Sequence, residues 1–494
     1  MAETTQQQAL NLKTFLSSVR LEGPVTKKPM LQGNREQVVE DVTAEDRFVS
    51  SMAAVVYNMD QNGGRFDKQS IQDLVADIDE LVDSQLNEIL HAPAFQQLES
   101  SWASIADLAR RTNFKAAIGI SLLDASKEEV HEDLELNIAD IAGSELFKKI
   151  YVAEYDQFGG APFGALIGLY DFANTPSDIV WLRAMGKVSS ASHAPFVASV
   201  SPKFFGCETM QEVNQLRDIA GLFNTPRYSA WNELRDSEEA AYIGLTMPRY
   251  IVRVPYNEMT NPAEGINFSE KVQGNVDGEF LWGSSAMLLA RNLVRSFETS
   301  GWCQYLRGVK GGGQVTALAT HTFNLRGEEE MRGPVETSMP DFRELELANA
   351  GLIPLIHKKG TADAVFFSVQ SIKKSHRFKD PKDSENSQLV TNLAYTFSIS
   401  RIAHYLKCIM RDNIGSAADA NYISSQIDRW ISGYVTTLVN PDDLTLRYYP
   451  FKAYSLQVTD VPGKIGWYQC NLSILPHIQF EGMNVDLRVD ARLG

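Results

Sequence analysis

Cysteine is scarce in this chain. Cys207, Cys303, Cys408 and Cys470 stand far apart and form no CxxC pair. That excludes a disulfide framework or a cysteine zinc site, and free thiols in a reducing compartment are the plain reading. Histidine is equally dispersed. His91, His131, His193, His321, His357, His376, His404 and His477 never fall two within five residues, so no local metal pair exists. The phosphate loop GxxxxGK[ST] is missing, because Gly186-Lys187 and Gly463-Lys464 are followed by Val188 and Ile465. There is no GxSxG elbow, and His131-Glu132 lacks the second histidine of HExxH. No apolar run reaches the roughly 18 residues of a membrane span. The first residues, Met-Ala-Glu-Thr-Thr-Gln-Gln-Gln, have neither the basic nor the apolar region of a signal peptide. Positive charge is short as well: 46 basic residues against 62 acidic ones leave a net charge of −16. That argues against a general nucleic-acid binder and suits a protein kept soluble by self-repulsion. No catalytic residue, metal or cofactor is expected.

What is present is an ordinary globular composition, 44% apolar and 22% charged, in a chain of 494 residues. Such a length implies about two or three domains. The pattern reads as a mixed α/β (α+β) fold in four parts. Residues 1–43 are polar, carry Gly23-Pro24 and Pro29, and read as an extended arm. Residues 44–112 form a helical segment. It holds a helix over about 44–57, a turn at Asp60–Gly64 and a clear helix with Ile71, Leu74, Val75, Ile78, Leu81, Val82, Leu86 and Ile89 at helical spacing. Pro93 follows, and a second helix places Leu98, Trp102, Ile105 and Leu108 on one face. Residues 113–378 alternate short apolar runs with helices. One helix covers about 284–299, with Gly301 where a C-cap belongs. Residues 379–494 open on a polar stretch, continue with an apolar helix from Leu389 to Met410, and close on a sheet.

That sheet has the cleanest pattern in the chain. Tyr454, Leu456 and Val458 alternate with Ser455, Gln457 and Thr459. After Pro462-Gly463, Tyr468, Cys470, Leu472 and Ile474 do the same, and then Met483, Val485, Leu487 and Val489. Strict period two is the mark of a half-buried antiparallel strand. A terminal strand is expected at a sheet edge, where an unpaired backbone is either protected or available to a partner.

Three local features invite a ligand reading. Asn58-x-Asp60-x-Asn62-Gly63 with Gln69 imitates a calcium loop, but Asn and Gln replace the charged ligands of its first and twelfth places. Arg307–Val315, with Gly308 and Gly311-Gly312-Gly313, is compatible with a phosphate-binding turn or a tight structural one. Between Leu355 and Lys382 seven basic residues face two acidic ones, an excess of five inside an acidic chain. Lys373, Lys374, Arg377 and Lys379 are its candidate contact residues, against the ordinary reading of a solvated loop. His404, inside the apolar helix, reads as a hydrogen-bonded core histidine.

Many short motifs follow one another in an order that resembles the TssC (VipB/EvpB) family, the large subunit of the type VI secretion contractile sheath. Gly301-Trp302-Cys303, Arg307-Gly308 and Gly312-Gly313-Gln314-Val315 resemble its GWC…RG…GG.V signature. Phe95, Leu98, Glu99 and Trp102 resemble FxxLExxW, with Ala103-Ser104 where Arg-Gly is usual. Phe158–Gly164 resembles FGGxPfG, and His193-Ala194-Pro195-Phe196 resembles HAPF. The block from Trp231 through Arg235, Pro248-Arg249 and Arg253 to Tyr256 fits, as do Pro334-Val335-Glu336 and Arg401, His404-Tyr405, Lys407 and Arg411. Pro476-His477 closes the series, with Leu475 in place of Arg. The resemblance covers about residues 45 to 490.

The resemblance implies a contractile-tail-sheath-like fold and a structural subunit rather than an enzyme. It implies an obligate heterodimer with a small TssB/VipA-like subunit and a six-start helical sheath of such pairs around an Hcp-like tube. It also implies a baseplate, recycling of the contracted form by a ClpV-type unfoldase, and a place in the bacterial cytosol without membrane insertion. The C-terminal strands would then be exchanged between subunits, and Lys373, Lys374, Arg377 and Lys379 would face the tube. The alternative is a soluble cytoplasmic α/β enzyme holding a phosphorylated ligand at the 307–315 glycine loop.

Overall fold

The computed structural model describes residues 68–272, 277–325, 327–376, 378–379, 384, 387–388, 390–413, 419–438, 441–460, 468–477 and 487–492. The arm at 1–43, the helix at 44–57 and the turn at Asn58–Gly63 lie outside them. The chain divides into two compact units, Met1–Ala92 with Pro255–Lys271, and Pro93–Val254 with Val272–Gly494.

In the first unit the expected long helix is present as α1, Lys68–Leu90. Its C-terminal turn is fastened to the 255–271 segment. Buried Asn87 accepts from the Lys271 amide at 2.6 Å, and His91 lies 3.4 Å from Glu270.

The second unit begins with α2, Pro93–Arg111, whose first residue is the proline expected to end the preceding helix. Its centre is a six-stranded sheet in the order β1-β2-β3-β9-β10-β6. Here β1 is Leu166–Phe172, β2 Phe196–Val200, β3 Ile243–Met247, β6 Gln314–Val315, β9 Ile353–His357 and β10 Ala364–Phe366. Strands β4 (Tyr250–Ile251) and β5 (Trp282–Gly283) form one two-stranded sheet, and β7 (His321–Leu325) and β8 (Glu328–Arg332) another. The first four strands in the six-stranded order pair in parallel, and β10 runs antiparallel to both neighbours. Parallel strands covered on both faces are apolar throughout, and every residue of β2 and β3 is buried. Successive side chains divide between the faces. Phe196, Ala198 and Val200 pack with Trp181, Leu182 and Trp231, while Val197 packs with Leu289, Leu355 and Leu393.

Caps explain where the covering helices begin and end. Helix α3, Pro176–Ser192, starts with Thr175 accepting from the Asp178 amide and stops at His193, which adopts φ 50°. Ala194 and Pro195 then lead directly into β2, so the HAPF motif is a helix stop followed by a strand start. Helix α4, Ser285–Ser300, is capped by Ser284 and closed by Gly301 at φ 74°, as its sequence suggests. Helix α5, Leu393–Asp412, begins later than its apolar run implies, because Asn392 caps the Ala394 amide.

Helices α5 and α6 (Ala420–Ser432), the short α7 (Asp443–Tyr448) and a three-stranded antiparallel sheet, β11-β12-β13, complete the unit. Strand β11, Phe451–Asp460, pairs with β12, Tyr468–Pro476, from Phe451↔Pro476 to Asp460↔Tyr468. Strand β13, Leu487–Arg492, pairs with β12 from Ile474↔Leu487 to Gln469↔Arg492. One continuous apolar core runs from Val197 and Leu289 through Trp302, Phe397 and Ile427 to Phe451 and Leu472. Residues on both sides of position 378 therefore share a core.

Candidate assembly surfaces

The C-terminal sheet turns its apolar face inward. Cys470, Leu472 and Ile474 are buried, and Tyr454, Leu456, Val458 and Tyr468 are half-buried against the same core. Leu487 and Val489 stand opposite Ile474 and Leu472 in the register; Met483 and Val485 lie outside the described residues. The face is thus occupied by this chain's own helices, and what the sheet can offer a neighbour is backbone. Strand β12 is central, so β11 and β13 are the outer strands. Phe451 at the start of β11 is taken by Val435 and Thr436, while no further strand pairs with Ala453–Asp460 or with β13 among the described residues. An outer strand carries a row of donors and acceptors spaced for one more strand.

A second surface lies on α2, where the sequence sets Leu98, Trp102, Ile105 and Leu108 on one face. The stripe on α2 is buried only at its C-terminal end. Leu108 is 9% exposed, whereas Leu98 and Trp102 are 56% and 59% exposed. Large apolar side chains left open together on one helix mark a contact site more often than a solvated face. Glu99 of the same helix points elsewhere, its carboxylate meeting Arg253 Nε at 2.5 Å and Nη2 at 3.3 Å. Arg249 grips Glu336 in the same two-pronged manner at 3.0 and 2.6 Å. Charged motif residues from distant parts of the chain therefore hold each other.

The basic cluster is narrower than its sequence suggests. Lys373 is a correction: it is 8% exposed and its Nζ is 2.9 Å from Glu238, so it is not a free surface cation. Lys374 and Lys379 are exposed, as are Lys358 and Lys359, while Arg377 lies outside the described residues.

The glycine loop is a structural turn. The Gly308 amide donates to Phe366 O at 2.7 Å and the Gly313 amide to Gly308 O at 2.8 Å. A Cβ on Gly312 would collide with Tyr305 O, and one on Gly313 with Phe366 O. These amides are committed to the chain, which removes the cradle a phosphate needs.

The two histidines of the HAPF and HY motifs meet in the interior. His193 Nδ1 lies 3.1 Å from the Tyr242 hydroxyl, His404 Nε2 is 3.0 Å from Ser192 O, and the ring centroids are 6.4 Å apart. Burial, with the His404 and Lys407 charges beside it, lowers the His193 pKa to about 4. Burial also lowers His404 to about 4, against the opposing effect of its hydrogen bond to Ser192. Both are neutral near pH 7, as packing residues would be. Among the described residues no three His, Cys, Asp or Glu side chains come together as a metal site.

Two family models cover most of the chain. Residues 72–373 match the EvpB/VC_A0108 tail sheath N-terminal domain, and residues 382–493 match the tail sheath gpW/gp25-like domain of the same family. The type VI secretion system sheath protein TssC1 of Pseudomonas aeruginosa is 40% identical over 428 residues, 86% of each chain. A chain in the cryo-EM structure of the anti-feeding prophage (AFP) baseplate is similar at a TM-score of 0.35 and 11% identity, over 77% of this chain and 80% of its own. With both domain models matched in order and a sheath protein aligned along most of its length, the chain belongs to the EvpB/VC_A0108 tail sheath family.

Proposed function

We propose that this sheath protein pairs with a small TssB/VipA-like subunit, and that the heterodimers polymerise into a helical contractile sheath around an Hcp-like tube. In this reading the chain has no catalytic role. It works in the bacterial cytosol, anchored through a baseplate, and its contracted form is the substrate of a ClpV-type unfoldase.

The observation that carries the reading is the C-terminal sheet, which is closed by its own core on one face and, among the described residues, has no further strand along Ala453–Asp460 or β13. A strand added by a neighbouring subunit would contribute main-chain hydrogen bonds, each worth about 0.5–1.5 kcal/mol net, at every joint of the filament. Such a head-to-tail contact does not close on itself and so propagates as a helix. The open Leu98–Trp102 face supplies a separate surface for the small partner. Lys374, Arg377 and Lys379 then face an acidic stripe on the tube, where weak exposed pairs act through repetition.

Co-expression with the small partner tests the reading. Pelleting and negative-stain microscopy should show tubules from the wild-type pair. The double variant Leu98→Glu with Trp102→Glu should stay folded but lose the partner on purification. A pair that remains soluble and unassembled at all concentrations would reject the proposal.

A further inference from the structure

One charged cleft is left unexplained by the fold. A cavity of about 60 Å³ lies between α4, the glycine turn and α7, lined by Arg295, Ser296, Thr299, Tyr305, Gly312 and Arg447. Arg295 spends a single nitrogen on the protein. Its Nη2 donates to Asn292 Oδ1 at 2.8 Å, Gly312 O at 2.6 Å and Gln314 O at 2.7 Å. Among the described residues no acceptor is within reach of its Nε or Nη1, and no carboxylate lies within ion-pair distance of it. Arg447 approaches from α7, its guanidinium stacked 4.9 Å from the Tyr305 ring and donating to Lys310 O at 3.4 Å. Two guanidinium groups therefore converge on one small space. Burial and the Arg447 charge together hold the Arg295 pKa below its ordinary value. The Ser296 hydroxyl does not compensate, since it donates to Trp302 O and accepts from the Tyr305 amide.

We infer that this cleft is a socket for one carboxylate, presented by an acidic side chain of a neighbouring sheath subunit. The inference rests on the assembly reading above. A planar guanidinium with two uncommitted nitrogens matches a carboxylate in a two-pronged pair. The space is too small for a nucleotide, and the amides of Gly308 and Gly313 are already taken, so the cradle that a phosphate usually finds in a glycine turn is absent. Acidic side chains are plentiful on the partners a filament offers, because each copy carries 62 of them against 46 basic ones. A neighbour's carboxylate would reach the uncommitted nitrogens of Arg295 only when subunits are joined. That makes the socket a contact that favours the assembled state over the free one.

The test is Arg447→Glu in the full chain, co-expressed with the small partner. The new carboxylate would occupy the socket from within and pair with Arg295. The melting temperature of the free heterodimer should stay within a few degrees of wild type, while tubule yield should fall at least tenfold. Arg447→Gln should give an intermediate yield, with tubules that dissolve at lower salt. Variant tubules as abundant and salt-resistant as wild type would overturn the socket while leaving the sheath reading intact. A large drop in melting temperature would also overturn it, by showing Arg447 to be structural. Thermal stabilisation of the wild type by millimolar inorganic phosphate, without any effect of Arg447→Glu on tubules, would reassign the cleft to a free anion. Failure of the wild-type pair itself to form tubules would remove the sheath reading and the socket together.

Discussion

The indole of Trp302 sits edge-on to Phe451 and Tyr434, with ring centroids 5.0 and 5.3 Å away, and the Arg401 guanidinium lies over it at 5.5 Å. A residue that the sequence shows only as the middle of a short GWC motif thus joins the end of α4, where Ser296 donates to its carbonyl, to the C-terminal sheet. The His193–His404 pair is the other residue-scale junction, and it makes a prediction about pH. Both pKa values fall from 6.5 in the unfolded chain to about 4 in the fold. The unfolded state therefore binds more protons between those values, and stability falls as pH drops through that window. Each ring contributes at most about 3 kcal/mol to this loss, less because both keep partial solvent contact. Urea midpoints measured from pH 7 down to pH 5 should decline, and His404→Gln should flatten the slope. A wild-type midpoint independent of pH over that range would contradict the account of the pair.

At the scale of elements, strand β13 is where backbone matters most. Leu487→Pro removes one amide donor and bends the strand, at a cost of about 1 kcal/mol for the hydrogen bond and further loss from disturbed packing. In the proposed sheath one heterodimer would tolerate that, whereas a filament would meet it at every joint. The variant should co-purify with the small partner and form few or no tubules, as counted by negative stain. Loss of the heterodimer instead would mean that the strand serves only the subunit's own core. The strands around β13 were legible in the sequence because one face is buried and the other is not, which imposes period two. Helices α1 and α4 were legible for the same kind of reason, through period and caps. The exposure of Leu98 and Trp102 was not legible, because periodicity marks a stripe without saying how far along it a neighbour reaches. Nor was the burial of Lys373, whose partner Glu238 is remote in sequence and adjacent only after folding. The start of α5 lies at Leu393 rather than at Leu389, because the apolar run extends upstream while the cap chemistry belongs to Asn392.

At the scale of the molecule, a net charge of −16 makes copies of this chain repel one another, and specific contacts between them must overcome that repulsion. In the proposed assembly three surfaces would divide that work: the apolar face of α2 for the small partner, the exposed lysines for acidic neighbours, and the outer edge of the C-terminal sheet for the next subunit. Reversing Lys374 and Lys379 to Glu should leave the heterodimer intact but make tube-loaded assembly fail at lower salt than wild type, as read by pelleting over a salt series. Strand sharing between subunits is tested most directly by electron cryo-microscopy of tubules assembled from the full chain and a small TssB/VipA-like partner. The expected result is a strand from a neighbouring subunit hydrogen-bonded along the outer edge of β11 or β13, so that the C-terminal sheet gains at least one strand on assembly. A sheath in which that sheet keeps only its own three strands, with no neighbouring backbone along either edge, would contradict it.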